Sequence, residues 1–160
     1  MRKPLKTLVL VLMLIFAVGT PSFAAVTESD AKYAQTAGEL TQEFSNAIGV
    51  WGDVYQSAPE KFGSPEYKSW TKKASAADNV VKATLVKFSK MKVSPGYKKS
   101  DLTLRKFIKA YTSAINLYAP AIRKNDEKLV KKANDAILSA TALFSTWGID
   151  FAKDSQSLGK

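Results

Sequence analysis

The chain has 160 residues, with 24 Lys and Arg against 14 Asp and Glu, and a formal net charge of +10. It contains no cysteine and no histidine, which excludes disulfides, thiol nucleophiles, Ser–His catalysis, His-ligated haem and zinc sites of the usual ligand types. Its length is normal for one domain and sufficient to bury a hydrophobic core without stabilising disulfide bonds.

The first 24 residues have the three-part pattern of a secretory signal peptide. Basic residues precede an uninterrupted apolar run at 8–18, and Ser22-Phe23-Ala24 places small residues at the two positions that a signal peptidase reads. We therefore predict a signal peptide at 1–24 with cleavage after Ala24. The alternative is a retained membrane anchor, but the apolar run is well short of the ~20 residues that span a bilayer.

Residues 27–55 are predicted to form the first helix. Thr27 is a candidate N-cap, and the acidic residues that follow it suit the positive end of the helix dipole. Apolar residues then recur every three or four positions, as they do on one face of a helix. This stripe consists of Tyr33, Ala37, Leu40, Phe44, Ala47, Ile48, Trp51 and Tyr55.

The second helix is predicted to start at residues 64–66 (Ser-Pro-Glu), with Ser as N-cap and Pro at the first helical position. It should continue to about Lys92. Its apolar stripe consists of Tyr67, Trp70, Ala74, Ala77, Val81, Phe88 and Met91. Residues 93–96 (Val-Ser-Pro-Gly) are predicted to form a turn.

The third helix is predicted to begin at Ser100 or Asp101, and it carries a long apolar stripe. The stripe consists of Leu104, Phe107, Ile108, Tyr111, Ala114, Ile115, Tyr118 and Ile122. Pro120 lacks an amide donor and disfavours helix at the preceding residue, so we expect a kink or an early stop there.

A fourth helix is predicted to follow a cap at residues 125–127 (Asn-Asp-Glu). Its stripe consists of Leu129, Ala133, Ala136, Ile137, Ala140, Leu143, Phe144 and Trp147. The pattern weakens after Gly148, and we predict a flexible polar tail at 153–160. Four amphipathic segments with short connections predict an all-α fold, an antiparallel up-down-up-down four-helix bundle over 25–152.

Motifs for catalysis, cofactor binding or metal binding are absent from the sequence. The glycines are scattered, which excludes a phosphate-binding loop. Glu39 and Glu43 lie one helical turn apart, either as half of a cation site or as an exposed acidic face opposite basic helices. We favour the second interpretation, because most surface carboxylates are solvated or loosely paired. We therefore expect no enzymatic activity, no cofactor and no metal.

Most aromatic residues lie on the apolar stripes, where rings usually belong to the core. The alternative is that a group of them lines a pocket for an apolar or ring-bearing ligand. The candidate pocket residues are Trp51, Tyr55, Trp70, Tyr111 and Tyr118.

Basic residues concentrate in the middle of the chain. Residues 61–132 hold eighteen Lys or Arg and five acidic residues, whereas residues 25–60 hold one Lys and six acidic residues. This imbalance indicates attraction between neighbouring helices, a face that binds polyanions, or only a solvated surface. The candidates for binding an anionic surface or a partner are Lys72, Lys73, Lys87, Lys90, Lys92, Lys98, Lys99, Arg105, Lys106 and Lys109.

The sequence thus predicts an exported, non-enzymatic helical bundle, either secreted or located in the periplasm or cell envelope. We expect it to bind a protein partner or an anionic envelope surface through its Lys-rich helices. Nucleic acid is not expected, because export separates the protein from most of it and no binding motif is present. No transmembrane helix is expected after Ala24. The alternative function is a small-molecule carrier or sensor with an aromatic-lined pocket between helices.

Overall fold

The computed structural model describes residues 26–158, and this part of the chain forms four α-helices and no β-strand. The elements, in chain order, are α1 (Glu28–Gln56), α2 (Pro65–Ser89), a short 3₁₀ helix (Pro95–Tyr97), α3 (Lys98–Lys124) and α4 (Glu127–Leu158). The all-α prediction is therefore confirmed. The predicted signal peptide lies outside the described residues. None of the helices within 26–158 combines the length and the apolar character needed to cross a membrane.

Helices α1, α2 and α4 begin at the residues that their capping patterns indicate. Helix α3 begins at Lys98, before the predicted Ser100 or Asp101 and without a side-chain cap. Thr27 Oγ1 accepts from the Asp30 amide at 3.2 Å, and the Asp30 carboxylate accepts from the Thr27 amide at 3.3 Å, which completes a capping box. Ser64 Oγ caps α2 by accepting from the Tyr67 amide at 3.1 Å. The Asp126 carboxylate caps the first turn of α4 at 3.0 Å. These bonds satisfy amides that have no partner within the helix.

A kink or an early stop is expected at Pro120, and the early stop is wrong, because α3 runs through this residue to Lys124. Proline removes one backbone hydrogen bond, but the residues on either side of it are needed in the core. Ala119 is 8 % exposed and Ala121 is fully buried. Packing of this last turn therefore outweighs the local preference against helix.

The structure describes most of the segment predicted as a flexible polar tail, 153–160, and this part is helical. Helix α4 continues to Leu158, and Ser155 within it is buried. The Phe151 ring stacks on the rings of Tyr97 and Tyr33, at 4.8 Å and 6.4 Å between centroids. The last turns of α4 are therefore held by tertiary contacts that the weak apolar pattern after Gly148 does not reveal.

The four apolar stripes meet in one hydrophobic core. Phe44 of α1 lies 5.1–6.3 Å, centroid to centroid, from rings of α2, α3 and α4, namely those of Phe88, Phe107, Tyr111 and Phe144. Each of these five rings is at most 1 % exposed. All four helices therefore contribute to the same interior, as the amphipathic pattern predicts.

Candidate functional site

Four of the five predicted pocket residues come together in one aromatic cluster, formed by Trp51, Tyr55, Trp70 and Tyr118. Its ring centroids lie 4.6–5.6 Å apart. The most exposed member is only 8 % exposed. These rings pack against one another, as rings in a core do. Tyr111 lies elsewhere, against Phe44 and Phe107.

Asp78, which was not predicted as a functional residue from the sequence, is the polar centre of the aromatic cluster. Its carboxylate accepts from Trp51 Nε1 at 2.8 Å and from the Tyr55 hydroxyl at 3.0 Å, and the residue is 5 % exposed. Burial first, and the charge of Asp78 second, raise the pKa of Tyr55, which keeps its hydroxyl protonated as a donor. One feature of the sequence indicates that Asp78 is buried: its spacing places it on the apolar face of α2, between Ala74 and Val81.

The nine predicted lysines are all exposed, and one of them is paired. Lys87 Nζ lies 2.6 Å from Glu43 Oε1, and Thr84 Oγ1 also donates to this carboxylate, at 3.1 Å. The bond from Lys87 lowers the pKa of Glu43. Glu39 instead accepts from Gln35 at 2.9 Å. The two glutamates thus have separate partners and do not converge on a shared ligand position.

The structure separates the predicted basic residues into groups. Lys90, Lys92, Lys98 and Lys99 lie on or beside the segment that joins α2 to α3, and we call these four residues the basic cluster. Lys72 and Lys73 lie roughly 27 Å away along α2, at 1.5 Å per residue. Lys106 and Lys109 lie further along α3. Within residues 26–158, none of these eight lysines forms an ion pair.

Arg105 was grouped with the surface lysines, but its guanidinium is used inside the molecule. It donates to the carbonyl oxygens of Ser89 at 2.5 Å and Met91 at 2.9 Å, which cap the end of α2. It also forms two bonds to the Asp101 carboxylate, at 2.9 Å and 3.1 Å. Asp101 in turn accepts from the Tyr33 hydroxyl at 3.1 Å. Arg105 therefore links α2, α3 and α1 rather than facing solvent as a free cation.

A cleft of about 260 Å³ opens between the first turns of α1 and residues 91–94. Ser29, Lys32, Tyr33 and Thr36 line its α1 side. The two sides are some 60 positions apart in the sequence, so no local pattern could reveal the cleft. Lys32 on the α1 side and Lys92 of the basic cluster on the other side both line it.

Asp30 fixes the two sides of the cleft to each other. Its carboxylate accepts from the Ser94 hydroxyl, from the Gly96 amide at 3.0 Å and from the Thr27 hydroxyl at 2.6 Å. These bonds, that from Ser94 first and that from Thr27 second, lower the pKa of Asp30. The carboxylate therefore stays charged while it is 2 % exposed.

Within residues 26–158, no group of three or more carboxylates is arranged to hold a metal ion. No protein-family model, no curated protein and no solved structure matches the chain. The basic cluster and the adjoining cleft are therefore the features of the described residues from which a function can be inferred.

Proposed function

We propose that the protein is an exported, non-enzymatic helical bundle that binds an anionic surface of the cell envelope through the basic cluster. An acidic face of a protein partner would be bound by the same chemistry. The observation that carries this proposal is the exposure of four ammonium groups around one connection between helices, without an ion pair in the described part of the chain.

The position of Lys98 and Lys99 supports an external role for the basic cluster. Both lie in the first turn of α3, where the helix dipole favours negative charge and disfavours cations by about 0.3–1 kcal/mol each. The side chain of the N-cap residue, Tyr97, makes no capping hydrogen bond at this end of α3. Two carboxylates lie at this end as well: Asp101 in the first turn of α3, and Asp154 of α4, which accepts from the Ser100 amide at 2.9 Å. A locally unfavourable charge placement is typical of residues that serve binding rather than folding.

The expected affinity is weak and depends on salt. A lysine near an anionic surface contributes about 1 kcal/mol, so the four lysines of the basic cluster give roughly 4 kcal/mol, equivalent to a Kd near 1 mM for a single contact. Lysine suits this diffuse attraction better than bidentate phosphate recognition, for which arginine is preferred. At physiological ionic strength the attraction extends only about 8 Å.

We also propose that the helices alternate in an up-down-up-down bundle. Pairs that join successive helices support this arrangement, because the residue number rises on one helix as it falls on the next. Between α1 and α2 the pairs are Glu43–Lys87 and Trp51–Asp78; between α2 and α3 they are Ser89–Arg105 and Ser75–Arg123; between α3 and α4 they are Ser100–Asp154 and Thr103–Asp150.

Export with cleavage after Ala24 is part of the same proposal, and it rests on the N-terminal pattern alone. Expression with the native N-terminus in an export-competent host tests it. The intact mass of the protein recovered outside the cytoplasmic membrane should correspond to a chain that begins at Ala25. Recovery of the uncleaved chain in the membrane fraction would support the anchor instead.

Cosedimentation with vesicles tests surface binding. The protein beginning at Ala25 is mixed with vesicles of phosphatidylglycerol and phosphatidylcholine, or of phosphatidylcholine alone, at low and high salt. Binding is expected only to anionic vesicles and should weaken at high salt. Replacing all four lysines of the basic cluster by glutamine should abolish it.

A charge-matched control shows whether position matters. Exposed lysines at the other end of α2 and at the start of α4 are replaced by glutamine in the control variant: Lys68, Lys72, Lys73 and Lys128. This variant should retain most of the binding. Equal losses in the two variants would show that only net charge acts, and absence of binding to anionic vesicles would overturn the proposal.

A further inference from the structure

We propose that the cleft between α1 and residues 91–94 binds a small amphiphilic anion, a carboxylate or phosphate group attached to a short apolar chain. Its charged group would be held by Lys32 and Lys92, which both line the cleft. Its apolar part would rest on Met91 and Val93. The inference goes beyond the proposed function and shares only Lys92 with it.

Ammonium groups are the donors that the cleft offers to a ligand, because the protons of its serines are already committed. The Ser94 hydroxyl donates to the Asp30 carboxylate. Ser29 Oγ lies 2.9 Å from Thr27 Oγ1 and 3.2 Å from Ser94 Oγ. Because Thr27 and Ser94 both donate their own protons to Asp30, the Ser29 proton serves one of these two contacts. This chain of hydroxyls ends on a charged acceptor inside the protein and so directs its protons away from the cleft.

The other two hydroxyls of the cleft are committed in the same way. Tyr33 donates to the Asp101 carboxylate at 3.1 Å, and Thr36 donates to the Lys32 carbonyl oxygen at 2.8 Å. A neutral polyol would therefore find few donors here. An anion finds two exposed cations, Lys32 and Lys92, neither of which forms an ion pair within residues 26–158.

The residues that line the cleft include two lysines and no carboxylate, and Asp30 lies between the two sides of the cleft. Asp30 is 2 % exposed, and its oxygens are occupied by the donors of Ser94, Gly96 and Thr27. Its single charge opposes an anion, but the two lysines together exceed it. The first turn of α1, which forms one side of the cleft, adds the positive end of a helix dipole.

The apolar lining and the size of the cleft select the rest of the ligand. Val93 lines the cleft and is 48 % exposed, and Met91 beside it is 8 % exposed. An inorganic anion would leave this apolar surface in water, whereas an apolar chain would cover it. About 260 Å³ is slightly below the usual range for ligand pockets, so the cleft suits a short chain rather than a whole lipid.

An NMR titration of the labelled protein beginning at Ala25 tests the inference with simple probes. Octanoate and octyl phosphate carry both required groups, acetate and inorganic phosphate lack the chain, and octyl glucoside lacks the charge. The two amphiphilic anions should shift the amides of residues 91–94 in a saturable manner. The other three probes should bind at least about tenfold more weakly, because each loses one of the two interactions.

Substitutions locate the site. Lys32→Gln and Lys92→Gln should each weaken octanoate binding by about tenfold. Val93→Ser should weaken octanoate while leaving the weak response to inorganic phosphate unchanged. The matched control is Lys72→Gln, an exposed lysine at the far end of α2, which should change nothing. Equal binding of octanoate and acetate, or shifts that are insensitive to both cleft lysines, would overturn the inference.

Surface binding by the basic cluster and anion binding in the cleft can be refuted independently of each other. Lys32 lies outside the basic cluster, so Lys32→Gln should weaken octanoate binding and leave vesicle binding nearly unchanged. Octanoate binding without any binding to anionic vesicles would support the cleft, with a free amphiphile as its ligand, and would refute only the surface proposal. Vesicle binding without octanoate binding would refute only the cleft.

Discussion

Replacement of Arg105 by alanine removes a guanidinium that connects three helices. The side chain donates to the carbonyl oxygens of Ser89 and Met91 at the end of α2, and it pairs with Asp101 through two hydrogen bonds. Asp101 also accepts from Tyr33 of α1. The variant therefore leaves a buried carboxylate without its cation and the last turn of α2 without its cap.

The expected loss of stability follows from the burial of this ion pair. Removing one partner of a fully buried pair costs about 3–5 kcal/mol. The side chain of Asp101 is 9 % exposed but that of Arg105 is 34 % exposed, so water reaches part of the pair and the lower end of this range applies. Loss of the two carbonyl contacts adds about 1 kcal/mol, because water can replace them in part. We expect a total of about 4 kcal/mol.

Equilibrium unfolding in urea, followed by tryptophan fluorescence, measures this loss. The midpoint should fall by roughly 2 M if the slope is about 2 kcal/mol/M. Arg105→Lys should recover only part of the stability, because an ammonium group cannot reproduce the guanidinium fork. The control is Lys106→Ala, at the neighbouring exposed position, which should stay within about 0.5 kcal/mol of the parent. Equal midpoints for Arg105→Ala and Lys106→Ala would refute the structural role.

Three further predictions concern buried contacts. Asp30→Asn removes a carboxylate whose pKa is held below the ordinary aspartate value by its hydrogen bonds. The stability it supplies is present above about pH 4 and is lost as pH falls through the folded-state pKa, so urea unfolding should show a deficit at neutral pH that shrinks in acid. Asp78→Leu leaves an indole and a phenol donor buried without an acceptor, and unfolding should show a loss of about 3 kcal/mol; an unchanged midpoint would contradict this. Gly96→Ala places a Cβ 2.7 Å from Asp30 Oδ1 and from the Leu158 methyl groups, and calorimetry should show a loss of about 1–3 kcal/mol that Leu158→Ala partly restores.

The identity of the helices and most of their ends could be predicted because they depend on near neighbours. Thr27 and Ser64 cap amides three residues ahead, and the apolar stripes repeat every three or four positions. Pro120 shows the limit of local rules: one missing amide bond is outweighed by burial of the residues around it. That burial depends on packing against the core, which the local sequence around Pro120 does not contain.

The candidate site, by contrast, was decided by tertiary structure. From the basic composition, Arg105 and the neighbouring lysines were all predicted to bind an anionic surface or a partner. In the structure, however, it is Arg105 that donates to carbonyl oxygens at the end of α2. Asp30 and Ser94 are 64 positions apart in the sequence, and their bond forms only because two helix ends meet. The sequence by itself determined which faces of the helices are apolar and how many cations the surface carries. Which cations remain free, and which side chains enclose the cleft, depends on distances between helices, and local periodicity carries no information about those distances.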